Sequence, residues 1–280
     1  MPEAFRRRAT PAAGMHRRFR PTYSFAGPKL RPVIARLGAR NGRPLLYGHR
    51  GASARAPENT LSAFGLALDE GADGVELDVR LSRDGVVVVA HDPDLRRVAG
   101  RPERVAELDA ATLRTVDAGG DHVPSLDETL DLVLARGGRI NVELKGDVPD
   151  RVALARACAR LLSRRRPSER EAIFVSSFRP EILAVLRALG APVPLAFLFD
   201  AEHTGPLRGA VLRRLTPADG LHPQHSLCTP GAIARWHARG LFVNAWTVDS
   251  PARARALAAA GVDGIITNDP AGIVGALGSG

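Results

Sequence analysis

The stretch GVELDVRLSRDGVVVVAH, residues 74–91, contains two β-type runs that are separated by only four residues. The first run, 74–81, alternates between polar and apolar side chains, and the second, 86–91, is almost wholly apolar. Four residues are too few for the crossover that joins neighbouring parallel strands, whereas Asp84-Gly85 is a favoured hairpin turn. The stretch therefore predicts an antiparallel hairpin.

Seven further β-type runs alternate with helical stretches along the rest of the chain. The runs cover 45–49, 139–145, 172–177, 194–200, 220–223, 241–248 and 264–267, and the helical candidates cover 60–70, 126–136, 151–165, 179–189, 230–239 and 251–260. Strands that alternate with helices form a parallel sheet, and the first run of the hairpin supplies the eighth strand. We therefore predict an α/β fold, a (β/α)8 TIM barrel. An antiparallel hairpin and a small insertion, over about 92–124, follow its second strand.

The positive charge of the chain is concentrated at its N-terminus. The formal net charge is +9, and the first 46 residues hold 11 of the 39 Lys and Arg residues but only one of the 30 acidic residues. We predict a basic, flexible arm over 1–43 and a barrel domain over 44–280. Clustered arginines bind phosphates by releasing counterions, so a weak contact of the arm with a membrane surface stays open. Nucleic acid is not the expected partner, because the barrel domain is almost neutral.

The cellular location is predicted from what the sequence lacks. No apolar run is long enough for a signal peptide or a membrane span. The two cysteines, Cys158 and Cys228, are too few for a disulfide framework or a cysteine-based zinc site. We therefore expect a cytoplasmic protein, whose oligomeric state these features do not predict.

Polar side chains share one face on each of two predicted strands, because side chains alternate along a strand. These faces carry Glu76, Asp78 and Arg80 on one strand, and Asn141, Glu143 and Lys145 on the other. Helices cover the outside of a barrel with apolar contacts, so we expect the polar faces to point into its mouth. Three carboxylates gathered there repel one another unless a cation holds them. Oxygen ligands suit Mg²⁺ or Ca²⁺; an ion-pair network with Arg80 and Lys145 is the alternative.

Two histidines are predicted to lie beside these carboxylates. His49 ends the first strand and is followed by Arg50. Counting back from the hairpin turn brings His91 level with residues 76–78, although a slip of one residue would turn its side chain to the other face. Two imidazoles beside a cation site, together with Arg50 and Lys145, suit an anionic substrate that exchanges protons during the reaction.

From Leu45 to Pro270 the sequence resembles the glycerophosphodiester phosphodiesterase family. The resemblance is carried, in order, by HRGASARAPENTLSAF (49–64), GADGVELDVRLSRDGVVVVAHD (71–92), PSLDETL (124–130), NVELK (141–145), SSF (176–178), AWTVD (245–249) and GVDGIITNDP (261–270). It implies a TIM barrel that uses a divalent cation, Mg²⁺ or Ca²⁺, to hydrolyse glycerophosphodiesters to glycerol 3-phosphate and an alcohol. It also implies a reaction in two steps, each an in-line attack at phosphorus, with a cyclic phosphate as the intermediate.

The resemblance further implies a role for each site residue. His49 and His91 match the acid/base pair. The remaining matches are Glu76, Asp78 and Glu143 as metal ligands, Arg50 and Lys145 as cations beside the phosphate, and Trp246 as the aromatic near the glycerol. The sequence departs from the family at Val98-Ala99, where a Thr usually follows the Arg, and this leaves the alcohol preference open.

Two other functions stay open alongside this one. A barrel of this kind can instead cleave the head group of a lysophospholipid or a sphingolipid, as a lysophospholipase D or a sphingomyelinase D does. Alternatively, the chain binds phosphate or nucleic acid through its arm without catalysis. Residues 57–60 are interpreted first as a helix start with Asn59 or Thr60 as its cap, and Glu58 or Asn59 reaching the site is the weaker alternative. At strand ends the weaker candidates are Ser176, Ser177 and Phe178 lining the pocket, and His222 and His225 touching substrate. Asp269 is interpreted as a turn residue before Pro270.

Overall fold

The structure is a computed structural model that describes residues 42–202 and 218–278. The predicted basic arm, 1–43, lies outside the described residues except for its last two. Of these, Arg43 donates hydrogen bonds to both carboxylate oxygens of Asp73, over 2.8 and 3.1 Å. No helix in the described ranges is long and apolar enough to cross a membrane.

Eight parallel strands close into a barrel, which confirms the predicted α/β barrel. The strands in the described residues are β1 (Leu45–His49), β2 (Gly74–Leu81), β3 (Val87–Val89), β4 (Arg139–Leu144), β5 (Ile173–Ser177), β6 (Leu195–Phe199), β7 (Gly220–Pro223), β8 (Phe242–Ala245) and β9 (Gly264–Thr267). Each strand except β3 pairs in parallel with its neighbours around the barrel, and pairing of β1 with both β2 and β9 closes the ring.

Helices follow the strands and cover the barrel. They are α1 (Leu61–Asp69), α2 (Arg96–Ala99), α3 (Ala110–Leu113), α4 (Leu126–Ala135), α5 (Arg151–Arg164), α6 (Pro167–Arg170), α7 (Pro180–Ala188), α8 (Pro230–His237), α9 (Pro251–Ala260) and α10 (Pro270–Leu277). Short polar side chains begin several of them. Thr60 caps α1 by accepting from the Ala63 N–H, and Asp269 caps α10 by accepting from the Gly272 N–H. These caps satisfy backbone donors that have no partner within the helix.

The lower half of the barrel interior is filled by aromatic and aliphatic side chains. The Tyr47 and Phe174 rings meet edge to face with centroids 5.5 Å apart, and Phe174 meets Phe242 in the same way at 5.9 Å. Gly220 leaves space for this layer, because a Cβ there would lie 2.3 Å from the Phe242 ring. The packed layer closes the barrel from below, so the interior can open to a ligand only toward the carboxyl ends of the strands.

The strand β3 returns antiparallel beside β2, with Val79 opposite Val89 and Leu81 opposite Val87. The Ala90 N–H still donates to the Asp78 carbonyl, which brings the next residue, His91, to the carboxyl end of the barrel. Residues 92–124 then form a small cap that contains α2 and α3. Its buried side chains pack on one another and on Val88 of the hairpin; they are Leu95, Val105, Leu113, Val116, Ala118 and Val123. The cap therefore has a core of its own beside the barrel mouth.

Candidate active site

Three carboxylates meet at the barrel mouth. Asp78 of β2 lies opposite Glu143 of β4 in the sheet, and Glu76 lies two residues below Asp78 on the same face. All three side chains are buried, and one oxygen atom from each lies within 4.8 Å of the others. Among the described residues, these three offer ligand atoms that are close enough together to hold one metal ion.

The three carboxyl groups have pKa values that are shifted in different directions. Burial, followed by the charges of Asp78 and Glu143, raises the pKa of Glu76 well above its ordinary value. Burial also raises the pKa of Glu143 to about 7, although Lys145 opposes it. The pKa of Asp78 is lowered, because the attraction of Lys145 and Arg50 outweighs the effect of burial. The cluster therefore holds more carboxyl groups than the two cations neutralise, which is the environment that a divalent cation relieves.

Two cations reach this cluster. The Lys145 ammonium lies 3.1 Å from an oxygen of Asp78 and 3.1 Å from an oxygen of Glu143. The Arg50 Nε lies 3.2 Å from Asp78 Oδ2, while the Arg50 backbone N–H donates to Glu76 over 3.1 Å. Arg50 adopts a left-handed backbone conformation, with φ of 55°. Such a conformation is uncommon for a non-glycine residue, and here it accompanies the contact of both the Arg50 backbone and side chain with the carboxylates.

His49 enters the site from the end of β1, opposite Glu76 in the sheet. Its Nε2 lies 3.8 Å from Glu76 Oε2, and its Nδ1 donates to Asn268 Oδ1 over 2.7 Å. The Asn268 amide is itself fixed, because its Nδ2 donates to Asp249 over 2.7 Å. This arrangement leaves Nε2 of the neutral ring as the nitrogen with a free lone pair. Burial, and then the charge of Arg50, lowers the pKa of His49.

His91 is held by groups from the hairpin and the cap. Its Nδ1 lies 2.6 Å from Asp92 Oδ1, and its backbone carbonyl accepts from the Arg80 guanidinium over 2.6 and 3.0 Å. Burial lowers the pKa of His91. Arg80 also pairs with Asp147 at 2.8 Å. Arg80 therefore does not take part in the alternative ion-pair network with the carboxylates, because its side chain pairs with Asp147 and the His91 carbonyl instead.

Trp246 follows β8 and lies at the rim of the barrel. Its indole N–H donates to the His222 carbonyl over 2.7 Å, and its ring meets Phe178 edge to face with centroids 5.4 Å apart. His222 itself is fully buried, with ring nitrogens 3.1 and 3.4 Å from the side-chain amides of Asn244 and Asn141. His222 thus lies in the barrel interior and not in the open mouth.

Sequence reasoning missed some of the residues that support the site. Asn59 was interpreted mainly as a helix cap, but Thr60 caps α1 and the Asn59 amide donates to Asp78 over 3.0 Å. Asn268 and Asp249 were not singled out, although both lie in motifs that follow a barrel strand. Asp269 was interpreted as a turn residue, and it caps α10. A signal for Asn268 was present, since the residue directly after a barrel strand faces the mouth.

The fold and the site together define a class of protein: an enzyme built on a (β/α)8 barrel, with acidic, basic and imidazole groups at the carboxyl ends of its strands. Residues 49–272 match the model of the Glycerophosphoryl diester phosphodiesterase family. The chain belongs to this family and is a phosphoric diester hydrolase.

Relatives and solved structures agree with this assignment. The chain is 32% identical to a glycerophosphodiester phosphodiesterase of Bacillus altitudinis, over 80% of this chain and 94% of the relative. It is 29% identical to that of Caldanaerobacter subterraneus subsp. tengcongensis, over 81% and 95%. A phosphodiesterase of Oleispira antarctica, solved in complex with the product sn-glycerol-3-phosphate, has a TM-score of 0.76 and 28% identity, over 85% of this chain and 98% of that one.

Proposed function

We propose that residues 44–280 form a domain that hydrolyses glycerophosphodiesters to glycerol 3-phosphate and an alcohol. The observation that carries this proposal is the meeting of two imidazoles and two cations around three buried carboxylates at one end of the barrel. Hydrolysis of a phosphodiester needs a group that binds the anionic phosphate, a base for the attacking oxygen and an acid for the leaving oxygen. The site offers candidates for all three.

Glu76, Asp78 and Glu143 are the proposed ligands of a divalent cation, Mg²⁺ or Ca²⁺. Their oxygen atoms are close enough to share one ion, and carboxylate oxygens are the ligands that both ions prefer. When bound, the cation supplies positive charge to the phosphate oxygens and to the attacking hydroxyl. The raised pKa values of Glu76 and Glu143 support the proposal. Ionising buried, neighbouring carboxyl groups costs free energy, and a nearby cation lowers that cost.

Arg50 and Lys145 are the proposed phosphate-binding cations. Both already contact the carboxylates at the mouth, so neither side chain has to move far to reach a phosphate held there. Charge that builds on the equatorial oxygens during in-line attack would be stabilised by these two groups. Groups of this kind contribute about 3 kcal/mol each to the transition state when the site excludes water.

His49 and His91 are the proposed acid/base pair. In the first step the glycerol 2-hydroxyl oxygen bonds to phosphorus and gives its proton to one histidine. The bond to the leaving alcohol breaks as the other histidine protonates that oxygen, which leaves a cyclic phosphate. In the second step a water oxygen bonds to phosphorus and gives its proton to the histidine that is now neutral. The bond to the 2-oxygen breaks as the first histidine returns its proton, and glycerol 3-phosphate leaves.

The partners of each histidine support this role. Asn268 accepts from His49 Nδ1, and the Asp92 carboxylate lies beside His91 Nδ1. Each ring therefore keeps its Nε2 for proton exchange, because a ring nitrogen that already donates a hydrogen bond cannot accept a proton. Trp246, at the rim beside Phe178, is the proposed contact for the apolar face of the glycerol.

The test is release of glycerol 3-phosphate from glycerophosphocholine and glycerophosphoethanolamine, with Mg²⁺, with Ca²⁺ and with EDTA. We expect metal-dependent release by the wild type and a loss of about 10²- to 10⁴-fold in His49→Ala. His237→Gln is the matched control, since His237 pairs with Asp263 away from the mouth. No release from either substrate by the folded, metal-loaded protein would contradict the proposal. Release of a head group from lysolipids only would instead support the lysophospholipase D alternative.

A further inference from the structure

We propose that Arg97 is a positioning residue, which fixes the two carboxylates that orient Arg50 and His91. This inference deepens the proposed function and rests on it, because it assigns the proposed phosphate-binding and acid/base groups a shared support. Arg97 belongs to the cap helix α2 and has no part in the proton transfers described above. Its guanidinium group nevertheless connects Arg50 and His91, because it contacts the carboxylate partner of each.

The Arg97 guanidinium uses all of its nitrogens for two carboxylates. Nη1 and Nη2 donate to the two oxygens of Glu58 over 2.6 and 2.8 Å. Nε donates to Asp92 Oδ2 over 2.6 Å. A guanidinium is planar and its donors point in fixed directions, so engaging both carboxylates at once fixes the orientation of each.

The first carboxylate, Glu58, also holds Arg50. Arg50 Nη1 donates to Glu58 Oε1 over 3.1 Å and lies 3.4 Å from Oε2. Because Arg97 takes both oxygens at shorter distances, Arg50 makes only one good contact with Glu58 and keeps its Nε 3.2 Å from Asp78. Without Arg97, Glu58 would be available for a full two-oxygen pair with Arg50. That pair would draw the Arg50 guanidinium away from the carboxylate cluster.

The second carboxylate, Asp92, holds His91. Asp92 Oδ1 lies 2.6 Å from His91 Nδ1, and its other oxygen is the one that Arg97 engages. The Asp92 side chain is only partly buried, so without Arg97 it is free to rotate toward solvent. His91 would then lose the partner that holds its Nδ1 and directs its Nε2 to the site.

The neighbouring residue provides a matched control. Arg96 lies on the same helix, with 70% of its side chain exposed against 48% for Arg97, and its Nε is 3.6 Å from Asp94. It touches neither Glu58 nor Asp92. Arg96→Gln and Arg97→Gln remove the same charge from adjacent positions, so a difference between them reports the contacts and not the net charge of the cap.

The experiment measures kcat and KM for glycerol 3-phosphate release at saturating metal, in the wild type, Arg97→Gln, Arg97→Lys and Arg96→Gln. We expect kcat of Arg97→Gln to fall about 10- to 100-fold, as is typical when a partner of a site residue is removed. KM should change less, and Arg96→Gln should match the wild type. Arg97→Lys should recover part of kcat, because a lysine keeps the charge but lacks the planar set of N–H donors that binds two carboxylates at once. The melting temperatures of Arg97→Gln and Arg96→Gln should agree.

Asp92→Asn, alone and combined with Arg97→Gln, tests the route to His91. If Arg97 acts through Asp92, the double variant loses less than the product of the two single losses. The inference would be overturned if Arg97→Gln had the kcat of the wild type. It would also be overturned if the losses in the double variant were independent and Arg97→Lys recovered no activity. In both cases the proposed function would stand. Absence of release by the wild type and Arg96→Gln alike would overturn the proposed function, and this inference with it.

Discussion

His49 and His91 both interact electrostatically with Asp78, but different kinds of partner hold them. His49 ends a barrel strand and donates to the neutral amide of Asn268, which follows the adjacent strand β9. His91 follows the hairpin strand β3, and its partner is the charged carboxylate of Asp92. A carboxylate stabilises an imidazolium more strongly than an amide does. The two rings therefore have different surroundings, although the proposed mechanism uses both for proton transfer.

The supports behind these partners differ as well. Asn268 is held by Asp249 and by Ser53, whose hydroxyl donates to Asn268 Oδ1 over 3.0 Å. Asp92 is held by Arg97 of the cap. The position of His49 thus follows from closure of the barrel between β1 and β9, whereas that of the His91 ring depends on the hairpin and also on how the cap packs. One half of the site belongs to the barrel, and the other half belongs to an insertion.

The largest expected effect comes from removing both histidines. We expect His49→Ala and His91→Ala each to lower kcat about 10²- to 10⁴-fold. The double variant should lose little more than the worse single variant, because the two rings act in the same steps and residues that act together are not additive. Turnover of saturating glycerophosphocholine, measured for the four proteins, gives the comparison. Multiplied losses in the double variant would mean that the rings contribute independently.

The alternation of side chains along strands was enough to predict the centre of the site. Glu76, Asp78 and Glu143 meet because a period of two sets which face of each strand they occupy. The supports were not predictable in the same way. Arg97 and Glu58 are 39 residues apart in sequence, so their pairing depends on how the cap packs against the barrel. No local pattern encodes that geometry.

A smaller loss is expected when only the support of His49 is removed. Asn268→Ala should lower kcat about 10- to 100-fold, because the ring loses the acceptor that fixes its Nδ1 proton. Asn268→Asp would give His49 a carboxylate partner like that of His91, and should preserve more activity than alanine does. Steady-state kinetics on glycerophosphocholine measures both variants.

Ser53→Ala is the control for this pair of variants. It removes one hydrogen bond to Asn268 while leaving Asp249 to hold the amide. We expect a loss well below that of Asn268→Ala. Equal losses in the serine and asparagine variants would show that the loop as a whole, and not the amide, supports His49.

The order of strands and helices was predicted more completely than the exact bounds of each element. Strands at 45–49, 74–81, 220–223 and 264–267 have the expected bounds, because apolar runs between turn residues mark buried strands clearly. The run 241–248 forms a strand only over Phe242–Ala245. The helix α10 was missed: its start signals, Asp269 and Pro270, were interpreted as a turn, and the glycines within it weaken the helical pattern.

The smallest effect concerns a third histidine that is buried and faces no charged partner. Burial lowers the pKa of His222 to about 3, against about 6.5 in an unfolded chain. Between these values the unfolded chain binds a proton that the folded chain does not bind. The stability that His222 contributes is therefore complete above pH 6.5 and is lost progressively as the pH falls toward 3. At pH 5.5 the loss amounts to about 1.4 kcal/mol.

Denaturant unfolding of the wild type and His222→Gln at pH 7.5 and pH 5.5 measures this loss. Glutamine cannot take up the proton, so the free energy of unfolding of the variant should fall less over this range than that of the wild type. His49 and His91 would add their own pH dependence to both proteins equally, and the difference between the proteins isolates His222. Parallel pH dependence in the two proteins would mean that His222 takes up its proton in the folded barrel as readily as in the unfolded chain, so that burial does not lower its pKa.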